Sequence, residues 1–170
     1  AYYKLKYKTK ISTLEQTQKV LPTNTMLINY FVGDKSIYIA TISSNNFYIT
    51  MVSKPDDYNQ SINDFYSSIK KAETNNFISS CNKISDILYS PISPFISKFE
   101  NLEIIPDDLL YKIPFEVLFT ESQSSETKNF SNLNYLINKF NIKYHYSANL
   151  LISSQIDESM TESKGYSKNF

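Results

Sequence analysis

Three short segments dense in β-branched and aromatic residues dominate the first third of the chain: TMLINYFV (25 to 32), SIYIATIS (36 to 43) and FYITMV (47 to 52). Such residues suit a pleated, half-buried surface. Gly33-Asp34 and Asn45-Asn46 separate the three segments, and both pairs are good turn formers that tolerate positive φ. The spacing predicts an antiparallel meander.

After the meander the apolar period changes. Tyr58, Ile62, Phe65 and Ile69 recur at helical spacing within residues 55–73, behind Asp56 and Asp57, whose negative charge suits the amino end of a helix. A second helix is expected from about Asn76 to Leu88, with Phe77, Cys81, Ile84 and Leu88 on one stripe and Pro91 and Pro94 closing it. Ahead of the meander, Ser12 and Glu15 have the spacing of a capping box, which predicts a short helix from Thr13 to Leu21 stopped by Pro22. Downstream, a short strand (Leu102 to Ile105) is expected to run into a turn at Pro106 to Asp108 and an apolar segment around Pro114 and Phe115. ESQSSETKNFSN (121 to 132) loses all apolar pattern and reads as an exposed loop. Pattern returns at Tyr135, Leu136 and Ile137 and in a strand from Asn141 to Tyr146, after which Ser147 is placed to cap a helix from Ala148 to Ser153. The expected organisation is a lead-in segment with a short helix (1–21), one domain (22–153) and a polar, poorly ordered tail (154–170).

Composition narrows the function classes. At 170 residues and 41% hydrophobic, the chain has enough material for one domain with a real core. Seventeen basic residues balance seventeen acidic ones, which argues against a nucleic-acid or anionic-membrane binder working through a basic face. Every basic residue is lysine, so no two-pronged guanidinium is present to clamp a phosphate or a carboxylate. Only Gly33 and Gly165 are glycines, and neither opens a phosphate-binding loop. A single cysteine, Cys81, rules out an intrachain disulfide framework and a cysteine-rich zinc site. No apolar run approaches the length of a membrane span and no signal-like leader opens the chain, so a cytoplasmic location is the expectation. The chain starts at Ala1 rather than a methionine, as an excised piece of something longer would.

Three places invite a chemical reading. His145 is the only histidine; in an alternating strand it shares a face with Lys143, while Ile142, Tyr144 and Tyr146 point the other way. Zinc would need more ligands than Cys81 and carboxylates supply. Cys81 and His145 form the one conceivable nucleophile–base pair, since such partners need not be close in sequence. A reactive thiol, however, needs a nearby cation or helix start to lower its pKa, and Cys81 falls on an apolar helix stripe, where cysteine ordinarily serves as a small hydrophobe. Asp107 and Asp108 are a possible carboxylate pair. Acid–base work requires two carboxylates in environments that drive their pKa values apart, whereas an aspartate after proline ordinarily bonds a backbone N–H and fixes a turn. The residues therefore predict no catalytic, cofactor-binding or metal-binding position in this chain.

Four stretches together are similar to one known family. YKIPFEVL (111 to 118), of the form (L/Y)xxPFExL and preceded by a strand and Pro106-Asp107, is accompanied in the family's order by LPTNTMLINYFVGDKSIYIATI (21 to 42), ILYSPISPFI (87 to 96) and IKYHYSANLL (142 to 151). Over roughly residues 12–153 the chain resembles the CHAT domain, a family of caspase-like proteins often joined to tetratricopeptide repeats. The resemblance implies the α/β sandwich of caspases and separases, of which this chain would carry the amino-terminal part: the meander, two helices and further strands, incomplete. It also implies a bacterial parent that is a cysteine endopeptidase with a His-Cys dyad, the histidine following a strand in an HG-type motif and the cysteine following the next strand. This chain contains no HG pair, so no catalytic residue is carried over from the family. The expected role is that of a non-catalytic amino-terminal half that scaffolds or regulates the catalytic half. Its expected partners are that carboxy-terminal half, the attached helical repeats and, further, a regulatory protein, with no nucleic acid, membrane or cofactor.

Two other readings come from the residues themselves. One is an interaction module that binds a partner by strand addition to an open sheet edge. The other takes Lys4 to Lys10 and the neighbouring tyrosines as a stripe for single-stranded nucleic acid, against an exposed edge strand whose lysines discourage unwanted pairing.

Overall fold

The meander forms where the sequence places it. In the computed structural model, which describes residues 11–71, 74–124 and 129–153, strands β1 (Thr25–Val32), β2 (Ser36–Ile42) and β3 (Phe47–Ser53) pair antiparallel, with Leu27 opposite Ile42 and Ile37 opposite Val52. Gly33 N–H donates to the Ser36 carbonyl and Ser43 N–H to that of Asn46, both at 2.9 Å. Neither turn uses the left-handed region its residues tolerate; among the described residues only Asp108 has a positive φ, at 50°. The amino-terminal alternation (1–10) and the polar tail (154–170) lie outside the described residues.

The sheet does not stop at the meander. β1 also pairs in parallel with β4 (Asn101–Ile105), and β4 in parallel with β5 (Asn141–Tyr144), giving the order β3-β2-β1-β4-β5. β1 is therefore central and belongs to both an antiparallel and a parallel half. The described residues include the helices α1 (Leu14–Val20), α2 (Tyr58–Lys71), α3 (Thr74–Leu88) and the single turn α4 (Ser93–Ile96), with a further helix at 148–153, which makes this a mixed α/β fold. Among the described residues no helix is long and apolar enough to cross a membrane.

Several boundaries move from their expected places, each for a local reason. The capping box of α1 is one residue later: Gln16 N–H donates to Thr13 Oγ1 at 3.3 Å and Thr13 N–H to Gln16 Oε1 at 3.1 Å. Ser12, the expected cap, instead donates its backbone N–H to Asn149 Oδ1 at 2.7 Å, so the tertiary partner takes the group a Ser12–Glu15 box would have used. Pro91 and Pro94 end α3 without ending the turning of the chain. Each sits in the first turn of a further short element, a 3-10 turn (Ser90–Ile92) and then α4, where a missing N–H costs nothing. β5 stops at Tyr144 rather than Tyr146, because its neighbour β4 ends at Ile105 and the next residue, Pro106, has no N–H to offer a ladder. The helix after it occupies residues 148–153 as expected, with Leu150 N–H donating to Ser147 Oγ at 3.3 Å.

The two sheet faces are treated differently. On the first, Ile62 and Phe65 of α2 and Ile78, Cys81, Ile84 and Leu88 of α3 close over Met26, Ile28, Ile39, Leu102 and Ile104, all at most 2% exposed. Each such aliphatic side chain contributes about 1.5–3 kcal/mol through burial. Ile69, the expected last member of the α2 stripe, is left 36% exposed. On the second face, among the described residues, α1 and residues 148–153 cover only part of the sheet, packing Leu14, Val20, Ala148 and Leu151 around Leu27, Ile42 and Ile105. Phe31, Tyr38, Phe47, Ile49 and Met51 of β1, β2 and β3 remain exposed there.

Candidate functional site

The carboxyl ends of β4 and β5 and the segment that follows β4 build the most developed site. Pro106 ends β4, and the Asp107 carboxylate then accepts the backbone N–H of Val32, the last residue of β1, at 2.8 Å. This corrects the expectation of a locally fixed turn. The short 3-10 helix Asp108–Lys112 receives no side-chain cap from Asp107, because that oxygen is engaged with a strand 75 residues earlier. Asp108 supplies the bend with its left-handed φ, a region that aspartate tolerates better than most residues.

Pro114 then sets Phe115 into the core, 1% exposed, with its ring 5.3 Å from that of Tyr30 and 6.2 Å from that of Tyr144. The Phe115 N–H donates to the Tyr144 hydroxyl at 2.8 Å, and that hydroxyl donates onward to Glu116 Oε2 at 2.5 Å. Tyr144 thus accepts from the backbone of the wedge and donates to its side chain. Burial above all, and then the Glu116 carboxylate, push the Tyr144 phenol well above its ordinary value, so it stays protonated. The chain continues inward: Leu118 accepts a bond from Leu136 N–H at 2.8 Å, and Phe119 N–H donates to Ser85 Oγ on α3 at 2.8 Å. Each position of the PFExL pattern therefore has a physical task, with proline to aim the wedge, phenylalanine to fill, glutamate to lock onto β5, and leucine to close the core.

From Ser85 through the wedge to Tyr144 this arrangement lies inside residues 79–165, which match the family model of the CHAT domain and make up just over half of the chain, while Tyr30 and Val32 of β1 lie outside them. The chain belongs to the CHAT domain family. No curated protein matches it. The match begins within α3, so the meander and α2, included in the resemblance over residues 12–153, fall outside it.

In this CHAT domain a cavity of about 590 Å³ opens beside the wedge, between α2 and the carboxyl ends of β4 and β5. Its walls include Tyr66, Tyr111, Tyr144 and Tyr146 with the Glu116 carboxylate at one side, and the Tyr111 and Tyr146 rings stack 6.5 Å apart. Crevices at the carboxyl ends of parallel strands are the usual ligand-binding places of α/β sheets. Nothing in the sequence pattern announced this cluster. Tyr144 and Tyr146 stood out as neighbours of the only histidine, but Tyr66 comes from α2 and Tyr111 from the 3-10 helix, and only the tertiary fold brings the four together.

The structure does not join the conceivable dyad. Cys81 is fully buried on the α3 side of the sheet, where its thiol donates to the Val117 carbonyl at 3.2 Å. Burial pushes that thiol up to about 12, outweighing its hydrogen bonds with Ser85 and the backbone at Phe119. His145 lies beyond the end of β5, its Nε2 3.5 Å from Oε2 of the buried Glu103 on β4. Burial, reinforced by the Lys143 ammonium, holds the imidazole below its ordinary value and so neutral near pH 7. Among the described residues, no three His, Cys, Asp or Glu side chains converge as a metal site would require.

Proposed function

We propose that this chain is a non-catalytic, sheet-forming layer of a caspase-like cysteine peptidase, which scaffolds or regulates a His-Cys half supplied by further strands. The observation that carries the reading is the second sheet face. Phe31, Tyr38, Phe47, Ile49 and Met51 stand 40–65% exposed on adjacent strands, a grouping of the kind that marks interaction surfaces and that this reading assigns to a further protein layer. The separate placements of Cys81 and His145 support it from the other side. A dyad nucleophile requires a base within hydrogen-bond reach, and Cys81 has instead the carbonyl of Val117.

A second reading rests on the sheet edge. Among the described residues β5 pairs only with β4, so it offers an outer edge to which a partner strand could add. On that reading the chain is an interaction module with no catalytic half. The encoded sequence beyond Phe170 separates the two: a strand followed by His-Gly and a later cysteine after another strand favours the peptidase layer, and a stop codon favours the module.

The inactive state is tested on the 170-residue protein with a peptide-substrate library and a thiol-alkylating reagent. The expected results are no turnover and modification of Cys81 only after unfolding. Robust hydrolysis that disappears in Cys81→Ala would overturn the proposal.

A further inference from the structure

The tyrosine-walled cavity remains unused by a scaffolding role. Four of the chain's fourteen tyrosines converge on it from three separate parts of the chain. Tyr144 also holds the wedge through its hydroxyl, yet none of the four is sealed in the core: Tyr66 is 39%, Tyr144 42%, Tyr111 54% and Tyr146 78% exposed. A tyrosine face turned to the hollow is negative; Tyr111 and Tyr146 stack on each other and so keep one free face each, and the Lys70 ammonium already stands 5.3 Å from the Tyr66 ring centroid. The charged groups at the rim are unequal in availability. Lys112 Nζ is drawn away to Asn63 Oδ1 on α2 at 3.1 Å. The Glu116 carboxylate is held in place by one bond from Tyr144, and a carboxylate has about four acceptor positions. The lining thus joins tyrosine rings and the His145 imidazole to the apolar side chains of Ile69, Pro106, Ile113 and Pro114, beside an oriented carboxylate with acceptor capacity to spare.

We propose that this cavity binds a basic side chain, lysine or arginine, presented by an extended peptide of a partner protein. Cation–π attraction to the ring faces and a charge-assisted bond to Glu116 act on the same group. The openness of the hollow selects a peptide over a free small molecule. Walls that are 54% and 78% exposed at Tyr111 and Tyr146 do not enclose most of a ligand as small-molecule pockets do, whereas a side chain inserted from outside leaves its backbone in solvent. The site stands apart from the scaffolding reading, since it needs neither the open apolar face nor a catalytic half.

The test is a chemical-shift titration of the isotope-labelled 170-residue chain with a blocked pentapeptide carrying a central arginine. The same peptide with central norleucine removes the charge and keeps the apolar stem, and tetramethylammonium supplies the charge without a backbone. Saturable shifts are expected at the amides of Tyr66, Tyr111, Glu116 and Tyr146, with the norleucine peptide weaker by about tenfold, as loss of a desolvated cation–π contact and an ion pair implies. Tetramethylammonium is expected to perturb the same amides more weakly than the arginine peptide. Tyr111→Leu and Tyr146→Leu should each weaken the arginine peptide several-fold. Both side chains are more than half exposed, and if Tyr111→Leu fails to fold, Tyr146→Leu carries the comparison. Equal affinity for the norleucine peptide, tetramethylammonium binding as tight as the arginine peptide, shifts that never saturate, or unchanged affinity in Tyr146→Leu would each overturn the proposal.

Discussion

Ile39 and Ile49 sit on neighbouring strands of one sheet and have opposite fates. Ile39 on β2 is fully buried under α2 and α3, while Ile49 on β3, pointing to the other face, is 62% exposed. The strand alternation is equally regular at both. What differs is the cover: among the described residues the first face receives two amphipathic helices and the Phe115 wedge, the second only α1 and the helix at 148–153. Alternation states which residues share a face and leaves open whether that face will be closed.

The contrast can be broken most severely at the wedge. Phe115→Ala removes a ring that is 1% exposed and touches both Tyr30 and Tyr144, so urea denaturation should show a loss of about 3–5 kcal/mol. A loss below about 1 kcal/mol, the level of an ordinary substitution, would mean that the sealed face is no tighter than the open one.

A smaller effect is expected where the wedge segment is tied to the centre of the sheet. Asp107→Ala leaves the half-buried Val32 N–H without its carboxylate acceptor, a deletion that costs about 1–3 kcal/mol. Asp107→Asn keeps an acceptor oxygen and should retain most of the stability. Equal losses in the two variants would show that the charge matters and the hydrogen bond does not.

The smallest effect should come from the open face. Ile49→Thr should shift stability by no more than about 0.5 kcal/mol, as for other exposed sites, and should lower binding of a hydrophobic dye to the folded chain. A loss of about 2 kcal/mol or more, the size of a core truncation, would mean that this face is already covered in solution.

Much of the architecture was legible because it is local. The meander strands, the helices over residues 58–71 and 74–88 and the helix at 148–153 follow from period, turn residues and caps within a few positions. Errors arose where a distant group intervened. With the Ser12 N–H engaged by Asn149 the cap of α1 falls to Thr13, Asp107 serves Val32 in place of its own turn, and the expected strand from Asn141 to Tyr146 is cut short by the proline that follows its neighbour β4. The candidate site was the least legible part, since its tyrosines lie far apart in sequence and follow no shared spacing.

The sequence by itself determined the elements, the family to which the PFExL segment points, and the placement of Cys81 on a buried stripe, because periodicity, turn chemistry and apolar composition act over short distances. The tertiary structure alone decided that β1 joins an antiparallel to a parallel half, that among the described residues one face stays partly open, and that four tyrosines and Glu116 gather around one cavity. Parallel pairing and convergent side chains join residues tens of positions apart. No local preference encodes such a contact; it exists only once the helices have docked and the strands have taken their order.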